Sequence, residues 1–119
     1  MIKNISECLE TKKPWGKEIL WAQTVDYVAK LMTIRAGHRM SLQYHEKKEE
    51  TLYVVSGILI VWESEDNDKF ITLRTGDTHH VKPKQIHRFG ADYTEDVVLI
   101  EVSTNHLDDV IRLQDDYER

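Results

Sequence analysis

The chain holds a single cysteine, Cys8, among its 119 residues. No disulfide can form within it, and a reducing compartment fits that scarcity. A surplus of positive charge is also missing. Sixteen Lys and Arg stand against twenty-one Asp and Glu, a net charge of −5 with an isoelectric point near 5.6. Phosphate backbones and anionic membranes are held chiefly by Lys and Arg, so neither nucleic acid nor membrane is an expected partner. Long apolar runs are absent too. The longest, Gly57 to Trp62, is far short of the roughly 20 residues of a membrane-spanning helix. Met1 to Glu7 has no apolar stretch like that of a signal peptide. The expected compartment is the cytoplasm. No linker, repeat or low-complexity tract divides the chain, and 14.0 kDa leaves room for one domain and one core.

What is present is regular. Hydrophobic residues make up 40% of the chain, and the mean hydropathy of −0.52 is lean for a globular domain but far from a disordered composition. Glycines 16, 37, 57, 76 and 90 punctuate short runs rich in Val, Ile, Leu, Thr and Tyr, the pattern of many short strands. The strands expected are Tyr27 to Ile34, Leu52 to Val55, Ile58 to Trp62, Phe70 to Leu73 and Val97 to Val102, with a turn over Glu65 to Asp68. Only Leu107, Val110 and Ile111 have helical spacing, which predicts a short helix over Leu107 to Leu113 after an Asn105 cap. The fold class is therefore all-β with one terminal helix. A closed or double-sheet jelly roll is the expected form, because it protects strand edges. Its parts would be an N-terminal arm at 1–12, a barrel at 13–104, and a helix and tail at 105–119.

Six histidines are many for this length, and the spacing of two of them has meaning. Gln43 and His45 are two apart, which on a strand puts both on one face. Glu50 opens the next strand, and a turn-and-strand unit beginning at Gly76-Asp77 leads to His87. Two imidazoles, a carboxylate and an amide oxygen can thus converge from three strands, the facial type of donor set that suits divalent first-row metals. Of the other histidines, His38 is expected at the surface and His106 before the helix. His79 and His80 point to opposite faces, so at most one can face the interior; Val81's side favours His79 for that place, but a surface position is the expectation for each.

The stretch from Gly37 through Gln43, His45 and Glu50 to Gly57, followed by Gly76 and His87, resembles the two signature motifs of the cupin superfamily. More narrowly, the chain resembles the type II phosphomannose isomerase domain, which usually sits behind a mannose-1-phosphate guanylyltransferase. The matching segments are Lys13-Pro14-Trp15-Gly16, Ser41-Leu42-Gln43-Tyr44-His45, Tyr53 to Gly57, Ile86-His87-Arg88, Leu99 to Val102, and Asp108-Asp109-Val110-Ile111-Arg112 with Asp115 and Tyr117. Gln43 replaces the superfamily's usual histidine, as it does in the narrower family. Two departures stand out. Lys84 occupies the place of a glycine, so the loop before His87 is expected to differ in shape. Lys48-Glu49-Glu50-Thr51-Leu52 replaces the family's Arg-x-Glu-His-Trp.

The resemblance implies a double-stranded β-helix barrel whose ligands Gln43, His45, Glu50 and His87 hold a divalent ion. Zn²⁺ is the implied metal, and Fe²⁺, Mn²⁺ or Ni²⁺ suit the same donors. It further implies an aldose–ketose isomerisation, mannose 6-phosphate to fructose 6-phosphate or a close relative, passing through an enediolate. Glu50 and Lys30 are the candidate bases. Arg112 either pairs with Asp109 or Asp115 at the surface or, as the resemblance favours, faces a phosphate at the barrel mouth. From the residues alone, a dioxygenase or lyase acting on a small carboxylate and a non-catalytic sugar-binding cupin remain open. No glycine-rich nucleotide loop is present, so only the isomerase-like half of the fused activity is expected. Within Glu46 to Glu50, Glu50 alone is expected to turn inward. Arg88 is expected to point outward, and Trp15 and Trp62 to be core or interface aromatics. A homodimer joined through an edge strand or the N-terminal segment is the expected assembly.

Overall fold

Alternating apolar residues become strands throughout the computed structural model, which describes all 119 residues. The strands are β1 (Leu9–Lys13), β2 (Gly16–Gln23), β3 (Val28–Ile34), β4 (Leu42–Tyr44), β5 (Glu50–Ser56), β6 (Leu59–Trp62), β7 (Phe70–Leu73), β8 (Thr78–Val81), β9 (Arg88–Ala91), β10 (Val97–Ser103) and β11 (Ile111–Gln114). A six-stranded sheet runs β1-β2-β3-β10-β5-β8, a three-stranded one β7-β6-β9, and β11 pairs with β4. This is an all-β jelly roll, as the strand pattern predicts. No helix is long and apolar enough to cross a membrane.

The two larger sheets enclose one core that includes Trp15, Ile34, Leu52, Val54, Leu59 and Phe89. Trp15 is indeed a core residue, whereas Trp62 is half-buried and carries the Arg39 guanidinium 5.2 Å above its ring. The chain crosses from the first sheet to the second at Gly57. Its φ is +86°, and a Cβ there would lie 2.4 Å from the Asp96 carbonyl oxygen, so both the conformation and the close approach require glycine.

Several expectations are corrected. No helix forms over Leu107 to Leu113. Residues 105–110 turn, and Ile111–Gln114 becomes a strand against β4. Seven residues are too few to sustain a helix in water. The Asp109 carboxylate instead accepts from the backbone N–H groups of Glu46, Lys47 and Lys48 at 2.9, 2.7 and 2.9 Å, which fixes a turn. Residues 9–12 of the N-terminal arm belong to β1 and pair with β2. Arg88 is buried and donates to the Gln114 carbonyl at 2.9 Å, because the C-terminal segment covers the outer side of β9. His38 is half-buried, and its Nδ1 lies 2.7 Å from the Tyr117 hydroxyl.

The loop before His87 reaches the left-handed region without a glycine. Lys84 itself takes the left-handed conformation, φ +69°, that the missing glycine would have supplied. Its N–H donates to the His45 carbonyl at 2.6 Å, which ties the loop into the segment that carries His45.

Candidate metal centre and the pocket above it

His45 follows β4 directly, Glu50 is the first residue of β5, and His87 immediately precedes β9. A pair of backbone hydrogen bonds joins Gln43 to His87, at 3.0 and 2.9 Å. Three chain segments therefore meet at one point. The side chains are almost fully buried, with relative exposures of 2, 3 and 1% for His45, Glu50 and His87. Glu50 Oε1 lies 3.4 Å from His45 Nε2 and 3.0 Å from His87 Nε2, and one ligand atom from each residue lies within 4.8 Å of the others.

The far side of each ring fixes its tautomer. His45 Nδ1 lies 2.5 Å from the Asp109 carbonyl and His87 Nδ1 2.9 Å from the Gln85 carbonyl. A carbonyl only accepts, so both Nδ1 atoms carry the proton and both Nε2 lone pairs face Glu50. Neither Nε2 nor Glu50 Oε1 has a hydrogen-bond partner. Three buried acceptors aimed at one another are unfavourable unless a cation sits between them. Two ligands bonded at right or tetrahedral angles to one ion, each about 2.0–2.2 Å away, stand roughly 3.0–3.5 Å apart. The donor set and its spacing fit a divalent metal.

Gln43, on β4, has its amide oxygen held by the Ser41 hydroxyl at 2.7 Å, which leaves one lone pair for another partner.

The carboxylate also belongs to a buried charge network. Lys48 is only 7% exposed, so Glu50 is not the only inward residue of its loop. The Lys48 ammonium lies 3.2 Å from Glu50 and 3.4 Å from Glu101. Burial disfavours that charge, but the two carboxylates outweigh it and hold the lysine protonated. Burial likewise opposes ionisation of Glu50, and its polar neighbours Glu101, His45 and His87 together with the Lys48 charge overcome it, so its carboxyl lies well below the usual range. Burial and then the Glu50 charge push Glu101 up to about 8. One proton shared between the two carboxyls reconciles the opposite directions.

Above this network opens a cavity of about 120 Å³, room for one small molecule and not a polymer. His45 and Gln43 reach its wall. Lys13, Lys30, Lys48, Arg112 and Arg119 line it against the acids Glu18, Glu101 and Asp109. Lys30 is held by Glu18 at 3.1 Å and Arg119 by Asp115 at 2.8 Å. Arg112 makes no ion pair with Asp109, Asp115 or any other acid within 4 Å, so its guanidinium is free. Cations outnumber acids here, although the whole chain is acidic. Glu50 itself does not line the cavity. Outside it, His79 is turned inward and half-buried, while His80 is exposed beside Glu49 at 2.5 Å.

Sequence reasoning did not single out Glu101 or Glu18. Glu101 had a signal, since it follows Val97 and Leu99 at intervals of two and so falls on the core side of β10.

A family model described as "Cupin domain" matches residues 30–103. The chain is a cupin. It is 27% identical over 109 residues to a mannose-1-phosphate guanylyltransferase of Salmonella muenchen, covering 89% of the chain and 22% of that protein. It is 29% identical over 113 residues to the alginate biosynthesis protein AlgA of Pseudomonas aeruginosa, covering 92% of the chain and 23% of that protein. This cupin thus spans less than a quarter of the length of these curated relatives. Among solved structures, KdgF from Halomonas sp. superposes with a TM-score of 0.74 at 22% identity, over 87% of this chain and 91% of that one. The last comparison speaks to the fold.

Proposed function

We propose that this cupin is a metal-dependent sugar-phosphate isomerase, converting mannose 6-phosphate to fructose 6-phosphate or carrying out a closely related aldose–ketose exchange. One observation carries the reading: a buried His-Glu-His donor set adjoins a small cavity in which cations outnumber acids, in an otherwise acidic protein. The partial similarity to proteins of mannose-phosphate and alginate metabolism supports it.

His45, Glu50 and His87 would hold the ion, with Gln43 as a fourth ligand. A divalent ion there supplies polarisation of the sugar carbonyl and stabilises negative charge on the neighbouring oxygen. Arg112, free of carboxylates, binds the phosphate. Lys30 lines the cavity 3.1 Å from Glu18 and is the candidate for moving the proton between C2 and C1. Glu50 faces the two imidazoles and Lys48, a position that suits a ligand more than a mobile base. Zn²⁺ is the first metal to test, followed by Mn²⁺, Fe²⁺ and Ni²⁺.

The test loads the purified protein with each metal and follows mannose 6-phosphate and fructose 6-phosphate by NMR. Interconversion that disappears in Arg112→Ala and in His45→Ala supports the proposal. No interconversion with any metal overturns it. The same free guanidinium accepts a carboxylate, which favours as a second reading a lyase or dioxygenase on a small carboxylic acid. Oxygen uptake with Fe²⁺, or carboxylate breakdown, would select that reading. Calorimetric binding of a sugar phosphate without product would select a binding protein.

A further inference from the structure

A second cavity, of about 350 Å³, lies on the outer side of the three-stranded sheet. It shares no lining residue with the cavity above the metal centre, and its size falls within the roughly 300–1,000 Å³ usual for small-molecule sites. On β6 the buried Leu59 and Val61 alternate with Ile60 and Trp62, so the latter two face outward and line it. Phe70 stands across the strand pair from Trp62, with ring centroids 6.2 Å apart, and the indole N–H donates to the Asn67 carbonyl at 3.0 Å. Tyr93, in the loop after β9, is another wall and is 88% exposed. A tyrosine so exposed adds little to the core. Gly90 makes room for the site, because a Cβ there would stand 2.9 Å from both Trp62 Cζ3 and Arg39 Cβ. Glycine inside a strand weakens it and marks a close approach. Here the approaching groups are the walls of the cavity.

We propose that this cavity binds a neutral saccharide ring. Charge is the first argument. Arg39 and Asp116 are the only charged residues that line it, and they neutralise each other, with Arg39 Nε donating to Asp116 Oδ2 at 2.6 Å and Nη2 to Oδ1 at 3.0 Å. A phosphate or carboxylate ligand needs an unpaired cation, and the place of a ligand cation over Trp62 is already taken by Arg39, 5.2 Å from the ring centroid. Hydrogen bonding is the second. Arg39 Nη1 also donates to Asn67 Oδ1 at 3.0 Å, which leaves two of the five guanidinium N–H groups, the Asn67 amide N–H pair and further lone pairs of Asp116 free. Donors and acceptors side by side match hydroxyls, each of which both donates and accepts. Shape is the third. Tyr93, Ile60 and Ala91 offer an apolar surface to the C–H face of a pyranose, with the polar groups confined to one cluster. Arg39 is fixed by three hydrogen bonds and Trp62 by one, so little side-chain freedom is lost on binding. This does not depend on the isomerase reading, which concerns the other cavity and the unpaired Arg112.

The test titrates the isotope-labelled full chain with methyl α-D-mannopyranoside, methyl α-D-glucopyranoside and methyl β-D-galactopyranoside, each to about 50 mM so that millimolar affinity is covered, and follows binding by NMR. Methyl glycosides cannot open to a carbonyl, so isomerisation plays no part. The expected result is saturable movement of the Trp62 indole N–H and the Asn67 side-chain amide with at least one glycoside. Tyr93→Ala should weaken that binding at least about fivefold, and Asn67→Ala takes its place if Tyr93→Ala unfolds. Absence of saturable shifts with all three glycosides overturns the proposal, as do shifts centred on Gln43 and His45 or an affinity that ignores Tyr93 and Asn67. Inorganic phosphate moving the Trp62 and Asn67 signals at lower concentration than any glycoside overturns it too, because the ligand would then be an anion.

Discussion

Along β10, Val97, Leu99, Glu101 and Ser103 face inward while Val98, Ile100 and Val102 face outward. Antiparallel sheets of this kind usually keep apolar side chains in and polar ones out. Here the order holds only at the Val97 end. Toward Glu101 the inner face carries Lys30, Glu50 and Glu101, with Glu18 one pair nearer the Val97 end and Lys48 reaching in from the loop before β5, and the outer side of β10 stays apolar. Burial of charge is costly and is retained only where the groups neutralise one another, so the inner end of the sheet is the part of the fold given over to chemistry. The outer face follows the opposite logic. It carries no cluster of buried charge, and the side chains of β3 and β10 on that side, Leu31, Ala29, Ile100 and Val102 among them, are apolar.

The largest effect expected on the inner face comes from the donor set. In His45→Ala, bound metal measured by mass spectrometry falls away and turnover drops by more than about 100-fold. Val102→Glu, on the outer face of the same sheet, leaves metal content unchanged. If both variants lose metal alike, the two faces are not independent and the contrast fails.

Next is the Lys48 ammonium between its two carboxyls. In metal-free protein, Lys48→Met leaves Glu50 and Glu101 without their cation, and urea unfolding should show a loss of about 3–5 kcal/mol. Adding Glu101→Gln removes one of the stranded carboxyls, and the double variant should recover most of that loss. Equal losses in the single and double variants would mean that Lys48 acts by packing alone.

How much of this was readable beforehand differs along the chain. β3, β5, β6, β7 and β10 are rich in branched and aromatic residues and were legible from pattern. β1 and β2 were not, because Glu and Lys in Leu9–Lys13 and Gly16–Glu18 hide the alternation. The spacing of His45, Glu50 and His87 was legible, since strand geometry fixes where residues two apart point. The carbonyls that orient the rings were not, because Asp109 and His45 are 64 residues apart and no local rule connects them. The C-terminal segment misled for a related reason: three apolar residues at helical spacing cannot show that a partner strand, β4, awaits them.

That segment supplies the third prediction. The three backbone N–H groups that Asp109 accepts lower its carboxyl from the ordinary 3.8 to about 2. A carboxylate with a lowered folded-state pKa stabilises the fold fully above its ordinary value and loses that contribution as pH falls through the lower one. Asp109→Ala should therefore cost about 1–2 kcal/mol at pH 7. The gap between it and the unaltered chain should close between about pH 4 and pH 2. A gap that persists at pH 2 would place the effect in lost packing instead.

The smallest effect concerns the backbone that carries the inner face. Lys84 sits at φ +69°, a region that costs an L-residue about 1–2 kcal/mol. Glycine removes that cost but loses about 0.5–1 kcal/mol to its freer unfolded chain. Lys84→Gly should thus be neutral or stabilising by up to about 1 kcal/mol in thermal unfolding, with metal content unchanged. Lys84→Val keeps the unfavourable conformation and adds a branched side chain, so it should destabilise. If it also lowers metal retention, the hydrogen bond from residue 84 to the His45 carbonyl is part of what holds the imidazole in place.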